Sequence, residues 1–188
     1  MIREIRATDH PEIATLLLVI FADMELPFLQ KYGREMTRAV LMRAMADPNY
    51  RYGNHRGIVV ELHGEIAGVA FGYPAQDEPL IDTASEAAFR QLELDTQTTF
   101  FTDSETFANE WYLDSICVAQ KFRGQGIGSK LLAAIEKLVT RDDEQILGLN
   151  VDYANPKAKK LYERQGFQVV GTKVISGHLY EHMQKKIA

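Results

Sequence analysis

The chain has 188 residues, 46% of them hydrophobic, which suits one domain with an ordinary core and excludes disordered and collagen-like classes. A net charge of −5 argues against nucleic-acid partners, because neutralising phosphates needs a positive surface. The single cysteine, Cys117, excludes an internal disulfide framework and a Cys-rich zinc site, and five scattered histidines point to no metal.

In chain order, residues 2–6 alternate apolar and charged side chains like a short strand. Asp9 with Glu12 three residues on, and Pro11 between them, has the form of a capped helix start. Ile13, Leu16, Leu17, Ile20 and Met24 then recur at helical spacing. The apolar run 16–22 is too short for a bilayer span or a signal h-region, so the expected protein is cytoplasmic with no membrane partner. Pro27 and Gly33 punctuate the next stretch, and a second helix is expected over 35–45. Residues 57–73, with His63-Gly64 in the middle, predict a hairpin.

Residues 76–109 form the least regular part, with helical spacing only over 84–94. From 77 to 110 there are nine acidic residues against Arg90 alone. Such a run reads either as a solvated surface insertion or as an acidic collar that attracts a cationic acceptor. Beyond it the sequence predicts a strand over 111–118, a glycine turn, a helix to about 141 and a strand over 145–151. A helix over 156–165 follows, capped by Asn155 with Pro156 in its first turn and Gly166 at its stop. Ser176-Gly177 divides the remainder into two antiparallel strands, whose exposed edges leave room for a homodimer.

The glycine turn is Arg123-Gly124-Gln125-Gly126-Ile127-Gly128, between a strand and an amphipathic helix. Glycines there let main-chain N–H groups close on a ligand, and the helix adds the positive end of its dipole, so the segment reads as a phosphate-binding address. Ser129-Lys130 does not complete a Walker A loop, and Gly124, Gly126 and Gly128 with Ser129 depart from the dinucleotide fingerprint. Asp142, Asp143 and Glu144 also precede the next strand rather than end it, where a ribose carboxylate belongs.

The turn does satisfy Q/R-x-x-G-x-G/A, and the chain resembles the GCN5-related N-acetyltransferase (GNAT) superfamily. The resemblance extends to Leu113-Asp114-Ser115-Ile116-Cys117-Val118 before the loop, and to Asn155-Pro156, Leu161-Tyr162-Glu163-Arg164 and Gln165-Gly166-Phe167 after it; Gln120 stands where family members commonly have Pro. It implies an α/β (α+β) acyl-CoA N-acyltransferase fold, a mixed sheet of about seven strands flanked by about four helices, in one domain with an acidic insertion at about 76–109. It implies acetyl-CoA as cofactor, its pyrophosphate held by Arg123, Gly124, Gln125, Gly126, Ile127, Gly128 and Ser129. By the same resemblance Ile116, Cys117 and Val118 pair with the pantetheine arm, Asn155 bonds it, and Tyr162 protonates the departing thiolate.

The implied reaction moves an acetyl group to a primary amine of a small, cationic molecule within a ternary complex; a protein or peptide acceptor, or a CoA-binding module without turnover, would share the cofactor half. Presenting a lysine-like amine as the neutral base at pH 7 costs about 4.6 kcal/mol, from a pKa of about 10.4. Carboxylates that merely surround the amine raise its pKa, so capture and activation are separate jobs. Glu110, Tyr112 and Asp114 share one face of the strand before the loop by the two-residue period. Asp114 is the leading candidate base, with Glu110 second; each reads equally as an anchor for neighbouring groups. Cys117 is expected to pack rather than act as a nucleophile, because no histidine neighbours it in sequence. The acceptor is expected to enter between residues 26–32 and the insert.

Overall fold

The computed structural model describes residues 1–95, 97 and 99–187. In chain order its elements are β1 (Ile2–Glu4), α1 (His10–Asp23), α2 (Pro27–Ala44), β2 (Gly57–Leu62), β3 (Glu65–Pro74), α3 (Thr83–Gln91) and β4 (Trp111–Val118). These are followed by α4 (Ile127–Arg141), β5 (Ile146–Asp152), α5 (Pro156–Arg164), β6 (Gln168–Ile175) and β7 (His178–Lys186). The strands form one mixed sheet in the order β1-β2-β3-β4-β5-β7-β6, with only β4 and β5 paired in parallel. Among the described residues there are seven strands and five α-helices, one helix more than the four expected; the addition is α3, inside the insert.

Two local readings change. Asp9 stands at the start of α1, but its side chain makes no cap bond. Its carboxylate instead accepts from the Arg3 guanidinium at 2.7 and 2.9 Å and from the Arg6 N–H at 2.8 Å, tying β1 to the helix. Glu12 reaches across to the Ile66 N–H at 2.9 Å, so the predicted capping box gives way to two tertiary contacts. The second helix begins after Gly33, near the expected 35, and is preceded by a helical segment from Pro27 that breaks from it at Gly33, whose φ of 77° is one that side chains rarely adopt. His63 (φ 53°) and Gly64 (φ 80°) make the expected hairpin turn.

The sheet separates two cores. One packs Ile13, Leu17 and Phe21 of α1 and Val40 and Leu41 of α2 against Val59, Val69 and Phe71. The other packs Leu131, Ile135 and Val139 of α4 against Val60, Leu147 and Leu149. The insert is more than a surface elaboration, because Phe89 and Phe100 enter the first core, their rings 5.3 and 4.6 Å from Phe28. Phe28 and Leu26 are fully buried there, so within residues 26–32 those two belong to the core, while Pro27, Gln30 and Lys31 are exposed.

A one-residue irregularity in β4 decides where the site lies. Leu113 pairs with Gly72 and Ser115 with Phe71, so Asp114 is an extra residue with no partner on β3. Such a bulge inverts the alternation beyond it. Trp111 and Leu113 face α4 before it, and Ile116 and Val118 face α4 after it, while Cys117 packs on the α1 side. At the same level the parallel pairing of β4 with β5 ends, its last register being Leu113 to Leu149.

Candidate active site

Past Leu113 the two central strands diverge, and the opening is a cavity of about 430 Å³. Its walls include Asp114, Ile116, Asn155 and Tyr162, so four of the sequence-derived site residues meet around one space. On its β3 side β4 stays paired through Ile116, Cys117 and Val118. Toward β5 the backbone of those three residues has no strand partner among the described residues, leaving main-chain donors and acceptors for a ligand. The Cys117 side chain is buried on the α1 side with its thiol pushed up by burial, so only its backbone addresses the opening.

The glycine turn lies where β4 ends and α4 begins, outside the cavity walls. Gly124 (φ 77°) and Gly126 (φ 74°) are left-handed, and a Cβ on either would meet nothing within 4 Å. Gly126 caps α4 without a side-chain bond, and the first helical bond runs from Lys130 N–H to Gly126 O. The N–H groups of Ile127, Gly128 and Ser129 therefore lack intrahelical acceptors and face outward with the helix dipole. Arg123 is exposed, and its Nε donates to Val118 O at 3.1 Å, which closes the loop onto the strand end. Gly128 approaches Leu161 of α5, where a Cβ would sit 3.7 Å from Cδ2, so the loop lies beside the helix that carries Tyr162. Of the lysines on α5, Lys159 pairs with Glu181 at 2.7 Å.

Asn155 caps α5 by accepting the Ala158 N–H at 3.1 Å, which commits Oδ1 and leaves Nδ2 to donate. About two helical turns on, Tyr162 is 8% exposed and packs edge-on against Phe167. Burial alone pushes its hydroxyl up to about 12, so it stays protonated at neutral pH.

The opposite wall is acidic. Asp23, Glu105, Asp114 and Asp152 all line the cavity, and at the rim His178 lies 3.5 Å from Glu25 and 3.9 Å from Asp152. Beneath it Arg51, 2% exposed, is surrounded by three carboxylates. It makes a two-pronged bond to Asp82 at 2.8 and 2.8 Å, bonds Asp114 at 2.7 Å and reaches Glu105 at 3.4 Å, with its guanidinium 3.9 Å from the Phe101 ring centre. Arg51 itself lines a second hollow of about 450 Å³ and touches the first cavity through Asp114 and Glu105, which line it.

Asp114 thus faces the cavity as expected, but in an ion pair, with Oδ2 accepting from the Ser115 hydroxyl at 2.8 Å. Burial holds its carboxyl above the ordinary carboxylate range, against the pull of Arg51 and the Ser115 hydroxyl. Glu110 is fully buried away from the cavity, accepting from Phe107 N–H (2.7 Å) and Gln184 Nε2 (2.8 Å) and bonded to His182 Nε2 (2.9 Å). His182 Nδ1 meets Asn150 Oδ1 at 2.6 Å, and Asn150 Nδ2 donates to Tyr112 Oη and Glu105 O. Glu105, which no periodicity marked, accepts from Tyr112 Oη at 2.8 Å; burial pushes its carboxyl up to about 7 against the pull of Arg51. Its only signal in the sequence is negative charge in an irregular segment.

Comparisons with known proteins agree with this geometry. Acetyltransferase Atu2258 of Agrobacterium fabrum is 38% identical over 66 residues, 35% of this chain and 47% of that one, so the match spans about half the length of that relative. A crystal structure of an acetyltransferase is 48% identical with a TM-score of 0.91 over the whole of both chains. The N-acetyltransferase from Staphylococcus aureus Mu50 is 28% identical with a TM-score of 0.86, covering 98% of this chain and all of that one. The sequence pattern of the Acetyltransferase (GNAT) family matches residues 20–167, and the chain belongs to that family, whose cofactor is acetyl-CoA.

Proposed function

We propose that this chain is an acetyl-CoA-dependent N-acetyltransferase that moves the acetyl group to a primary amine of a small, cationic molecule by direct attack in a ternary complex. The observation that carries the reading is the divergence of β4 from β5, which leaves strand backbone, Asn155 and Tyr162 around one opening beside the bare start of α4. The diphosphate takes the open amides of Ile127, Gly128 and Ser129, with Arg123, Gly124, Gln125 and Gly126 forming the loop around it. The arm lies along Ile116, Cys117 and Val118 like one more strand, and Asn155 Nδ2 donates to it. Tyr162 donates to the sulfur as it leaves; the thiolate shares the apolar surroundings that hold the phenol protonated, so its own basicity rises too. Four cavity carboxylates favour a cationic acceptor, and about 430 Å³ suits the thioester end plus a small amine. The whole chain acts as one domain, with the insert supplying the acceptor wall.

Thiol release from acetyl-CoA across polyamines, aminoglycosides, amino acids and peptides tests the reading. Release with small cationic amines supports it; tight CoA binding with no release for any acceptor leaves a binding module instead. The phosphate assignment has its own check in Gly126→Ala. A Cβ there meets no protein atom, so the fold bears only the left-handed cost of about 1–2 kcal/mol. The methyl group intrudes on the space over the amides, and CoA affinity measured by calorimetry is expected to fall about tenfold or more, about 1.4 kcal/mol. Parent-like affinity would place the diphosphate elsewhere.

A further inference from the structure

We propose that Glu105, supplied by the insert, is the catalytic base that takes the acceptor's proton, and that Arg51 is the positioning residue that makes it available by occupying the neighbouring carboxylates. The proposal rests on the transferase reading above and adds the residue that activates the amine. Three carboxylates converge on one guanidinium, and Arg51 does not treat them alike. Asp82 takes both prongs at 2.8 Å and Asp114 takes Nη1 at 2.7 Å, whereas Glu105 is left the 3.4 Å contact. A carboxylate held in a short, charge-assisted pair is a poor proton acceptor, so Asp82 and Asp114 are spent as counter-ions. Glu105 is the member of the set that combines a cavity-facing position with incomplete neutralisation.

Its orientation is fixed from both ends. Tyr112 Oη donates to Oε2, and Asn150 Nδ2 ties down the Glu105 main-chain carbonyl at 2.9 Å while also bonding Tyr112 Oη at 3.0 Å. Glu78 binds the N–H of Glu105 at 2.7 Å and the Thr106 hydroxyl at 2.9 Å, so the irregular segment that carries the base is itself stapled. Tyr180, paired with Asp152 across β5 and β7, completes the surroundings on the cavity side. Burial against this background puts Glu105 near pH 7, where a base both accepts a proton and releases it to solvent.

The step balances as follows. The acceptor ammonium gives one proton to the Glu105 carboxylate, and the freed lone pair forms the C–N bond at the acetyl carbonyl. The C–S bond then breaks with its electron pair leaving on sulfur. Sulfur takes the Tyr162 proton, the new amide nitrogen loses its extra proton to restore the phenol, and Glu105 returns its proton to water.

The test is the pH dependence of kcat/KM for thiol release in Glu105→Gln, Asp114→Asn and Arg51→Lys variants of the full chain, with CoA affinity measured by calorimetry. The parent is expected to gain activity with rising pH through a limb near 7. Glu105→Gln is expected to lose that limb and about a hundred-fold in rate at pH 7, recovering toward the acceptor's own pKa, with CoA affinity unchanged. Arg51→Lys, which keeps a charge but loses the two-pronged geometry, is expected to move the limb upward by about one pH unit, because Arg51 holds the Glu105 carboxyl down. Glu93→Gln, an exposed insert residue outside the network, should keep the parent profile. A Glu105→Gln profile that retains the parent limb overturns the proposal, as does loss of the limb in Asp114→Asn alone. A parent that releases no thiol with any acceptor overturns the transferase reading as well, which separates the two failures.

Discussion

Replacing Tyr162 by Phe is expected to lower kcat about a hundred-fold while leaving KM for acetyl-CoA within about twofold, the pattern of a group that acts only as the leaving sulfur develops charge. The argument is local. Tyr162 lines the opening from α5, is almost fully buried, and its hydroxyl stays protonated because burial disfavours the phenolate. The ring packs against Phe167, so a phenylalanine keeps the packing and removes only the donor. The urea midpoint is therefore expected to shift little. Steady-state kinetics alongside the unfolding curve check both halves, and a kcat close to the parent's would remove Tyr162 from the chemistry. A change confined to KM would make it a binding residue instead.

The largest expected effect on stability belongs to Glu110→Ala. The carboxylate is fully buried among Phe107 N–H, His182 Nε2 and Gln184 Nε2, and Gly148 is glycine because a Cβ there would overlap the carboxylate. Truncation strands three polar groups at once, His182 Nε2 buried and the other two partly buried, and each buried group left without a partner costs about 1–3 kcal/mol. Against a total of about 5–15 kcal/mol, that is a large share of the folding free energy. Chemical unfolding is the measurement, and a shift below about 1 kcal/mol would mean that water replaces the lost partner easily. The same variant is expected to reach the base: His182 orients Asn150, and Asn150 fixes both Tyr112 and the Glu105 carbonyl. Glu110→Gln keeps one acceptor oxygen and should recover part of the loss, which separates the network from simple volume.

The glycine turn and the start of α5 were legible in the sequence because local chemistry dictates them. A left-handed turn needs glycine at 124 and 126, a helix start without a side-chain cap needs bare amides, and Asn155-Pro156 sets both cap and first turn of α5. Strand β4 and helix α4 came out at the expected residues for the same reason. The acidic wall was not legible. Arg51 lies in a turn before β2 and Glu105 in a segment without period, and only tertiary folding brings them within 3.4 Å. Asp9 and Glu12 had the spacing of a capping box, yet Arg3 and the edge of β3 claimed their carboxylates. The acidic run allowed two readings and the structure divides it: Glu105 and Glu110 turn inward, Asp82 pairs with Arg51, and Glu93 and Asp95 meet solvent.

Asp114 has no counterpart on β3, so it stands outside the alternation that places its neighbours. Deleting that one position would let the ladder zip without interruption while residues 115 to 118 kept their sides and their β3 partners, and the site would lose the carboxylate that binds Arg51 at the cavity wall.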